Sequence, residues 1–385
     1  MLLNAMPSDP GKKSRASGWE FMGPQIVKNP VQVPGDPSDP YVNYAGRIST
    51  VEDQQYLRVS SASGGLFQYV SFGTWFPISE TLPMKAIGTF ASNPLNPNHI
   101  LVGTGEYAGS YNMFPLNAQV SAGLWETRDG GYTWKSIFLQ WPGGPQPSFK
   151  RIIFDPSDTA KVWAASSYGV YYTLNSGGLW QWNSYGSIGL LSCIATDFAR
   201  CSDNQHFLVG LVGTNNPSCV YYNAGFTGNG QSLGTELNVN NKFPGDVKFA
   251  YSASNPATVY ASCFYYDDTT SVIFKSTNFG APGSWTRCTI LDNGQPTYNI
   301  HNGQGFRDNC IAVSPVDANK VLVGGVRACR STDGQNFTII DTRHPDNNHF
   351  FGRVRLRFMF LTMEDCIALW IVVKSGRIIC WIICL

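Results

Sequence analysis

The sequence is poor in charge, and the charge it has is balanced. Charged residues make up 14% of the 385 positions, where roughly 25% is typical of soluble domains. Lys and Arg number 27 against 26 Asp and Glu, so no net field draws the chain to nucleic acid or to an anionic membrane. The sequence has instead 39 Gly, 23 Pro and 14% aromatic residues, a composition typical of many short strands joined by tight turns.

Cysteine is absent before Cys193, and no CxxC pair occurs in the chain. The ten Cys comprise seven between Cys193 and Cys329 and three near the carboxyl end. Their number and spacing argue against a zinc ribbon and a dense disulfide framework. We therefore expect buried free thiols, no metal site and no cofactor. The start, "MLLNAMPSDPGKKSR", also lacks the pattern of a secretory signal, so either the chain is not exported or its leader is missing.

Long amphipathic helical runs are missing too, and two short elements recur in their place. The first is a turn rich in Pro, Asn or Asp that leads into a short apolar strand. It occurs as "NPLNPNHILVGTG" from Asn93, "DPSDTAKVWAAS" from Asp155, "SNPATVYASC" from Ser254 and "SPVDANKVLVGG" from Ser314. A Pro turn that leads into a β-branched run predicts a β-strand.

The second element is a Ser/Thr-x-Asp/Asn turn that closes on an aromatic residue. Its copies, with eroded versions at Tyr69 and Tyr222, recur about every 50 residues, which is the size of a four-stranded propeller blade. The residues that define the turn are Thr127, Asp129, Gly131 and Trp134; Thr173, Asn175, Gly177 and Trp180; Ser276, Asn278, Gly280 and Trp285; and Ser331, Asp333 and Phe337.

Each residue of this turn has a structural role. Asp129 can accept hydrogen bonds from nearby backbone amides, Gly131 can adopt a positive φ, and Trp134 can pack inward. Asn175 and Asn278 replace the Asp in two copies, and an amide cannot act as a general base. We therefore interpret the repeated turn as part of the scaffold and not as an active site.

The repeated turn resembles the Asp-box (BNR) repeat of sialidases, xyloglucanases and sortilin-type propellers. The stretches "GWEFMGPQ", "AGRIST" and "SASGGLF" are also similar to the opening of large bacterial BNR-repeat proteins. The resemblance implies an all-β propeller of four-stranded Asp-box blades over residues 41–350, with six to seven blades. It implies that residues 1–40 are an amino-terminal extension contributing a strand, and that the protein is extracellular or in the cell envelope.

The catalytic motifs of the two enzyme branches are missing. The F/Y-R-I/L-P motif of sialidases does not occur, because "RIIF" at Arg151 lacks the leading aromatic residue and the Pro. In xyloglucanases one catalytic Asp lies just before the first-blade GG strand. This chain has Ser or Ala there, in "SSASGGLF" from Ser60. Both departures count against hydrolysis.

Loops at the predicted channel rim hold the remaining candidates, since propellers place ligands there. Asp246 in "FPGDVKF" and Asp308 in "GFRDNCIAV" are a candidate catalytic carboxylate pair. Arg151 and Arg307 are candidate ligand-binding residues at the same rim. The alternative is that each side chain caps or positions the start of its own strand.

A second group combines aromatic and acidic side chains. It comprises Glu106 and Tyr107 in one loop, and Tyr265, Tyr266 and Asp267 in another. Exposed aromatic rings beside carboxylates suit sugar-ring stacking and hydroxyl recognition. Alternating aromatic residues are equally typical of cross-strand packing, so both interpretations stay open.

The end of the sequence departs from the repeat. "HPDNNH", residues 344–349, holds two His and one Asp at a spacing that suits no standard zinc pair, and it resembles the start of a further BNR blade. Residues 351–385 then lack Pro, Asn and the repeated turn. We hypothesise that this atypical hydrophobic tail comes from a frameshift, which leaves the last blade in question. Lys374 and Arg377 within it disfavour a membrane anchor.

These features predict a monomeric, non-catalytic propeller that binds a glycan or a protein at its channel face, without nucleic-acid or membrane partners. The alternative is a xyloglucanase-like glycoside hydrolase that acts on polysaccharide with paired carboxylates. A third interpretation is a non-functional fragment of a longer enzyme or adhesin. A hydrolase needs two carboxylates facing one cleft about 5–10 Å apart, whereas a binding module needs only an open face with satisfied polar groups.

Overall fold

The described part of the chain consists of strands and turns. This computed structural model describes residues 48–71, 74–106, 120–139, 146–175, 180–183, 194–212, 219–265 and 270–340, together with the backbone of a few outlying strands. Two of these outlying strands, β1 (Val27–Lys28) and β2 (Asn43–Tyr44), pair antiparallel.

Five four-stranded antiparallel sheets follow one another along the chain. The first contains β3 (Ile48–Asp53), β4 (Leu57–Ser61), β5 (Gly65–Ser71) and β6 (Thr74–Pro77). The second contains β7 (Ile87–Asn93), β8 (Asn96–Thr104), β9 (Leu124–Thr127) and β10 (Lys135–Ile137). The third contains β11 (Phe149–Phe154), β12 (Val162–Ser166), β13 (Gly169–Thr173) and β14 (Gln181–Asn183).

The fourth sheet contains β15 (Ile194–Arg200), β16 (Phe207–Val212), β17 (Val220–Tyr222) and β18 (Gln231–Ser232). The fifth contains β19 (Asp246–Tyr251), β20 (Val259–Phe264), β21 (Ser271–Ser276) and β22 (Trp285–Arg287). In all five sheets the strands lie in sequence order, so the first strand of each is at one edge and the fourth at the other.

A sixth sheet has six strands. Its members are β23 (Thr289–Asp292), β24 (Gln295–Pro296), β25 (Cys310–Val313), β26 (Val321–Gly324), β27 (Ala328–Ser331) and β28 (Asn336–Ile340). Strands β25 to β28 repeat the antiparallel order of the other sheets, and β23 adds to their outer edge by pairing parallel with β28.

Within the tail predicted to be atypical, the described backbone forms β29 (Ile367–Lys374) and β30 (Arg377–Cys384), which pair antiparallel. The tail's side chains and the "HPDNNH" stretch lie outside the described residues. Among the residues that the structure describes, no helix is long and apolar enough to cross a membrane.

The apolar core lies between consecutive sheets. Successive side chains of a strand point to opposite faces, so Phe207 packs towards Trp163 of the third sheet while its neighbour Leu208 packs with Phe249 of the fifth. Because both faces are covered, all six residues of β16 are buried. Six of the ten Cys lie in the described segments, all of them buried and free, which confirms the expected free thiols for these six.

The first strands of the sheets lie around one channel, and four of them bulge near their start. The antiparallel register shifts between Ile48 and Thr50 in β3, and at corresponding points in β7, β11 and β15. The bulged Ser49 donates a hydrogen bond to Ile87 O of the next sheet at 2.6 Å. In the fourth sheet Thr196 bonds Val247 O of the fifth at 3.1 Å. A bulge redirects the side chains that follow it, here towards the channel.

The repeated turns lie between the third and fourth strands. Asp129 Oδ1 accepts from Thr133 N at 2.9 Å and from Thr127 Oγ1 at 2.7 Å. The bonds from the Thr133 hydroxyl and amide, and then from Thr127, hold the pKa of Asp129 well below its usual range. Asp333 accepts from Asn336 N at 2.7 Å and from Gln335 N at 2.8 Å. These carboxylates satisfy local backbone groups.

The same turns also contact the preceding sheet. Gly131 has φ +103, and a Cβ there would lie 2.1 Å from Ile78 O, directly after the last strand of the first sheet. Trp134 donates its indole N–H to the same oxygen at 3.3 Å. A Cβ on Gly280 would lie 2.8 Å from Leu208 of the fourth sheet, and one on Gly334 would lie 2.3 Å from the Tyr260 hydroxyl of the fifth. Gly177 lies outside the described residues, while Trp180 packs on the second sheet's cluster.

Six radially arranged sheets with their first strands around one channel define an all-β propeller, as the sequence predicts. The two ends of the channel differ. The turns after the first and third strands lie at one end, which we call the turn face. The first strands begin at the other end, where the connections between second and third strands also lie, and we call this end the loop face. The total number of blades and the domain boundaries stay predictions.

Replacing Gly131 with Ala should separate close packing from backbone strain. We expect Gly131→Ala to lower the free energy of unfolding by about 3 kcal/mol, because strain at positive φ and collision with Ile78 O add together. Gly225→Ala is the matched control, since Gly225 has φ +79 and nothing within 4 Å of its Cβ position, and should lose about 1 kcal/mol. Urea unfolding measures both. Equal losses would contradict the proposed contact.

Candidate functional site

The channel forms a cavity of about 610 Å³ among the described residues. All six first strands contribute to its wall, through residues such as Thr50, Thr89, Arg151, Lys248 and Ile311. Charged side chains concentrate towards the loop face, where the first strands begin. This end is therefore the candidate functional site.

Arg151 and Asp197 form an ion pair in the channel wall. Arg151 Nη1 lies 3.1 Å from Asp197 Oδ1, and Asp197 Oδ2 accepts from Phe249 N at 2.7 Å. The Asp197 side chain is 1% exposed, whereas that of Arg151 is 43% exposed. Through these two bonds the Asp197 carboxylate links the third, fourth and fifth blades. The Arg151 guanidinium faces the solvent.

Lys248 and Asp246 form a second pair with the same arrangement. Lys248 Nζ lies 3.4 Å from Asp246 Oδ1 and donates to Thr196 O at 2.5 Å. The lysine side chain is 18% exposed and the aspartate 4%. Lys150 lies nearby on β11 and donates to Phe306 O at 3.5 Å, so it links the third blade to the loop before β25. In both ion pairs the cation is therefore closer to the solvent than the buried acid is.

Asp246 belongs to a buried network that joins the fifth and sixth blades. Asn309 Nδ2 donates to Asp246 Oδ1 at 2.9 Å, and Asn309 Oδ1 accepts from Ser262 Oγ at 2.7 Å. His301 Nε2 lies 3.2 Å from the same Asn309 oxygen, and its Nδ1 lies 2.8 Å from Ser271 Oγ. An amide oxygen can only accept, so His301 donates through Nε2 and accepts from Ser271 through Nδ1.

Burial sets the protonation of this network. Burial raises the pKa of Asp246 to about 6, against the opposing positive charge of Lys248. Burial also lowers the pKa of His301 to about 4, which keeps the imidazole neutral at physiological pH. An acid of pKa near 6 has the protonation chemistry that a general acid needs, yet this one is enclosed by its partners.

The candidate acid and base pair is not presented to the channel. Asp246 and Asp308 are each 3% exposed, and neither is among the residues that line the channel. Arg307 does line it, with its guanidinium 5.5 Å from the Phe306 ring centre. The structure places the two predicted arginines on the channel wall and the two predicted aspartates behind it.

The aromatic and acidic candidates also divide into one residue on the channel wall and one in the core. Glu106 lines the channel. Tyr265 is 1% exposed within the core between the fourth and fifth blades, where its hydroxyl donates to Leu237 O. Because both faces of its ring are covered, Tyr265 belongs to the core and offers no surface for sugar stacking, which corrects the prediction made for it. Tyr107, Tyr266 and Asp267 lie outside the described residues.

Sequence reasoning missed four charged residues of the channel region: Asp197, Lys248, Lys150 and Glu52. Asp197, Lys150 and Glu52 lie on bulged first strands. Glu52 also lines the channel, and both its oxygens accept from Ser92 N, at 3.1 and 3.0 Å. Its pKa is raised by burial. A charged residue near the start of an otherwise apolar first strand, as in "IATDFAR" and "DVKFAY", is the signal that could have found Asp197 and Lys248.

Comparisons with known proteins give matches among solved structures only. No model of a known protein family matches the sequence, and no curated protein matches it. Among solved structures, the chain is similar to the GH74 xyloglucanase from Xanthomonas campestris, with 13% identity and a TM-score of 0.48 over 79% of this chain and 55% of that one. A GH74 enzyme from Niastella koreensis shows 16% identity and a TM-score of 0.47 over 76% and 53%. The chain thus spans about half the length of these enzymes.

A further match is to a structure of YCF48 bound to D1 peptide, at 14% identity and a TM-score of 0.46, covering 76% of this chain and 82% of that one. YCF48 from Cyanidioschyzon merolae matches at 12% identity and a TM-score of 0.47, covering 77% and 85%. Matches with TM-scores below 0.5 carry no argument about this chain. Function has to be argued from this chain's own site.

The raised pKa of Asp246 makes stability depend on pH. In the folded state Asp246 binds its proton more tightly than an ordinary carboxyl of pKa 3.8, so its contribution to stability falls as pH rises from about 4 through about 6. Asp246→Asn removes this titration. The unfolding free energy of wild type minus that of Asp246→Asn should therefore fall on the order of 1–3 kcal/mol across this range.

Urea unfolding at several pH values between about 4 and 7 measures this difference. Asp158→Asn, which changes a surface carboxylate whose side chain is 46% exposed, is the matched control and should track wild type. A difference for Asp246→Asn that is constant, or that rises with pH, would contradict the burial of an ionisable Asp246.

Proposed function

We propose that this protein is a non-catalytic binding propeller that holds an anionic group of a glycan or protein ligand at the loop face of its channel. The observation that supports this most is the position of the charges. In each of the two ion pairs the cation is the more exposed member, with side-chain exposures of 43% against 1% and 18% against 4%. In these two pairs the N–H donors, and not the carboxylates, are the groups more accessible to a ligand that enters the channel.

Arg151 is the main candidate for ligand contact. One of its guanidinium N–H groups bonds Asp197, at 3.1 Å, and a guanidinium has five. The fixed geometry of the remaining donors suits a carboxylate, which it can bind through two parallel hydrogen bonds. Lys150, Lys248 and Arg307 lie on the same channel wall. The ligand class expected from this chemistry is a uronic-acid polysaccharide or an acidic peptide.

The second candidate is the glycoside hydrolase that uses Asp246 and Asp308. The pKa of Asp246, raised to about 6 by burial, favours it, since catalytic acids in glycosidases have raised pKa values. The burial of both carboxylates argues against it, because a general acid must reach the glycosidic oxygen. An extracellular or cell-envelope location, which the family resemblance implies, and a monomeric state are further parts of the proposal.

Loss of the Arg151 guanidinium should weaken binding. In a titration of the full chain with polygalacturonate and with an acidic peptide, Arg151→Ala should bind the preferred probe at least about tenfold more weakly, because the charge-assisted hydrogen bonds of the guanidinium are lost. Arg128→Ala is the matched control. Arg128 is 56% exposed on the turn face, where it pairs with Glu126 at 2.7 Å, and its loss should leave binding unchanged.

The same polysaccharide screen distinguishes the two functions. Reducing-sugar release that disappears in Asp246→Asn would establish the hydrolase and overturn the binding proposal. Binding without release, weakened by Arg151→Ala and not by Arg128→Ala, would support the proposal. Which of the two probes binds decides between a glycan and a protein ligand.

A further inference from the structure

A second cluster of reactive side chains lies on the turn face, away from the channel mouth. The loop between β15 and β16 has the sequence Cys201-Ser-Asp-Asn-Gln-His206. Cys201, Asp203 and His206 place a sulfur, a carboxylate oxygen and a ring nitrogen within 4.8 Å of one another. The proposed binding function of the channel does not involve any of the three.

The carboxylate of Asp203 lies at the centre of this cluster. Its Oδ2 lies 2.5 Å from His206 Nδ1, and its Oδ1 accepts from Gln205 N at 2.9 Å and from His206 N at 3.1 Å. Cys201 Sγ is within 3.5 Å of Pro256 O, on the corresponding loop of the fifth blade. The three donor groups are thus held by their own loop and by the next blade.

Comparison with the other blades shows that the thiol is not needed to build this turn. The amide of Cys201 donates to His206 O at 2.9 Å, as Asp155 N does to Lys161 O at 2.9 Å and Ser314 N to Lys320 O at 2.8 Å. At the position of Cys201 those blades have oxygen side chains, and Asp155 Oδ1 accepts from Ser157 N at 2.9 Å. Sulfur replaces a capping oxygen in this blade, next to a His and an Asp.

The imidazole of His206 is held in place from the side. It stacks on Phe279 with the ring centres 4.0 Å apart and the planes at 14°, and on Tyr221 at 5.9 Å. Phe279 has φ 55 and occupies the turn position that Gly130, with φ 78, occupies in the second blade. Left-handed backbone is unfavourable for an aromatic residue. The stacking on Phe279 and Tyr221 therefore fixes the orientation of the His206 imidazole, whose side chain is 18% exposed.

We propose that Cys201, Asp203 and His206 form a binding site for zinc or a similar borderline divalent metal. Thiolate, imidazole and carboxylate are the protein ligands that Zn²⁺ takes, and three of them leave a fourth position for water. The sulfur ligand disfavours Mg²⁺ and Ca²⁺, which prefer oxygen alone. Asp203 is 31% exposed and His206 18%, so an ion can reach the site from solvent. A bound ion would clamp the fourth blade's loop beside Pro256 and Phe279 of the fifth.

Cobalt(II) is the probe for this site, because a Co²⁺–thiolate bond gives an intense charge-transfer absorption in the near ultraviolet. Titration of the reduced, full-length, metal-free chain should give this absorption with one equivalent bound, and Zn²⁺ should displace the cobalt. Zn²⁺ should also raise the thermal unfolding midpoint, since a ligand that binds only the folded state stabilises it. Cys201→Ser should abolish the thiolate band, and His206→Gln should weaken binding at least about tenfold.

Cys288→Ser is the matched control, because Cys288 is likewise buried with its thiol towards a backbone carbonyl, Gly334 O at 3.9 Å, and it should keep the full band. The absence of a band in wild type, or a band that persists in Cys201→Ser, would overturn the proposal. If Cys201→Ser does not fold, as judged by circular dichroism, the more exposed His206→Gln decides. Unchanged cobalt affinity in that variant would equally refute the site.

Discussion

Phe207 and Leu208 are neighbours in one strand, yet they pack against different blades, and this two-sided burial is the constraint on which the molecule depends. A sheet with both faces covered has no polar face, so its position is set by the blades on either side. The turns take part in the same contact, because Gly131 and Trp134 reach Ile78 of the preceding blade. The channel wall inherits its geometry from these contacts, since the bulged strands β3, β11 and β15 each bond to the first strand of the next blade.

The fold could be predicted because its signals are local. A Thr or Ser, an Asp or Asn and a Gly at fixed offsets satisfy one another's backbone groups within a few residues, as Asp129 and Asp333 do. Every blade that keeps this turn therefore shows the same residue pattern in the sequence. Buried free thiols could be anticipated for a similar reason, because the spacing of the cysteines excludes the usual pairings.

The site was harder to predict because it depends on contacts between blades. Asp197 pairs with Arg151 of the preceding blade and bonds Phe249 N of the following one, so its partners lie about 50 residues away in either direction. For Tyr265 the error was to predict a ligand contact that does not exist. The aromatic run suggested an exposed binding surface, but the Tyr265 ring is buried in the core. Cys201 was missed because a search for paired cysteines does not detect a single thiol that lies beside an Asp and a His of its own loop.

The outer edge of the sixth sheet differs from that of the other sheets, because two additional strands cover it. This difference affects how another copy of the chain could pair with that edge. An unpaired outer strand offers a row of N–H and C=O groups to which another chain can add. Here β23 covers β28, and the added hairpin finishes at β24, a two-residue strand that ends on Pro296. A proline has no N–H to donate. The linker between the fifth and sixth blades thus leaves a short edge with few backbone N–H groups to which another strand could add.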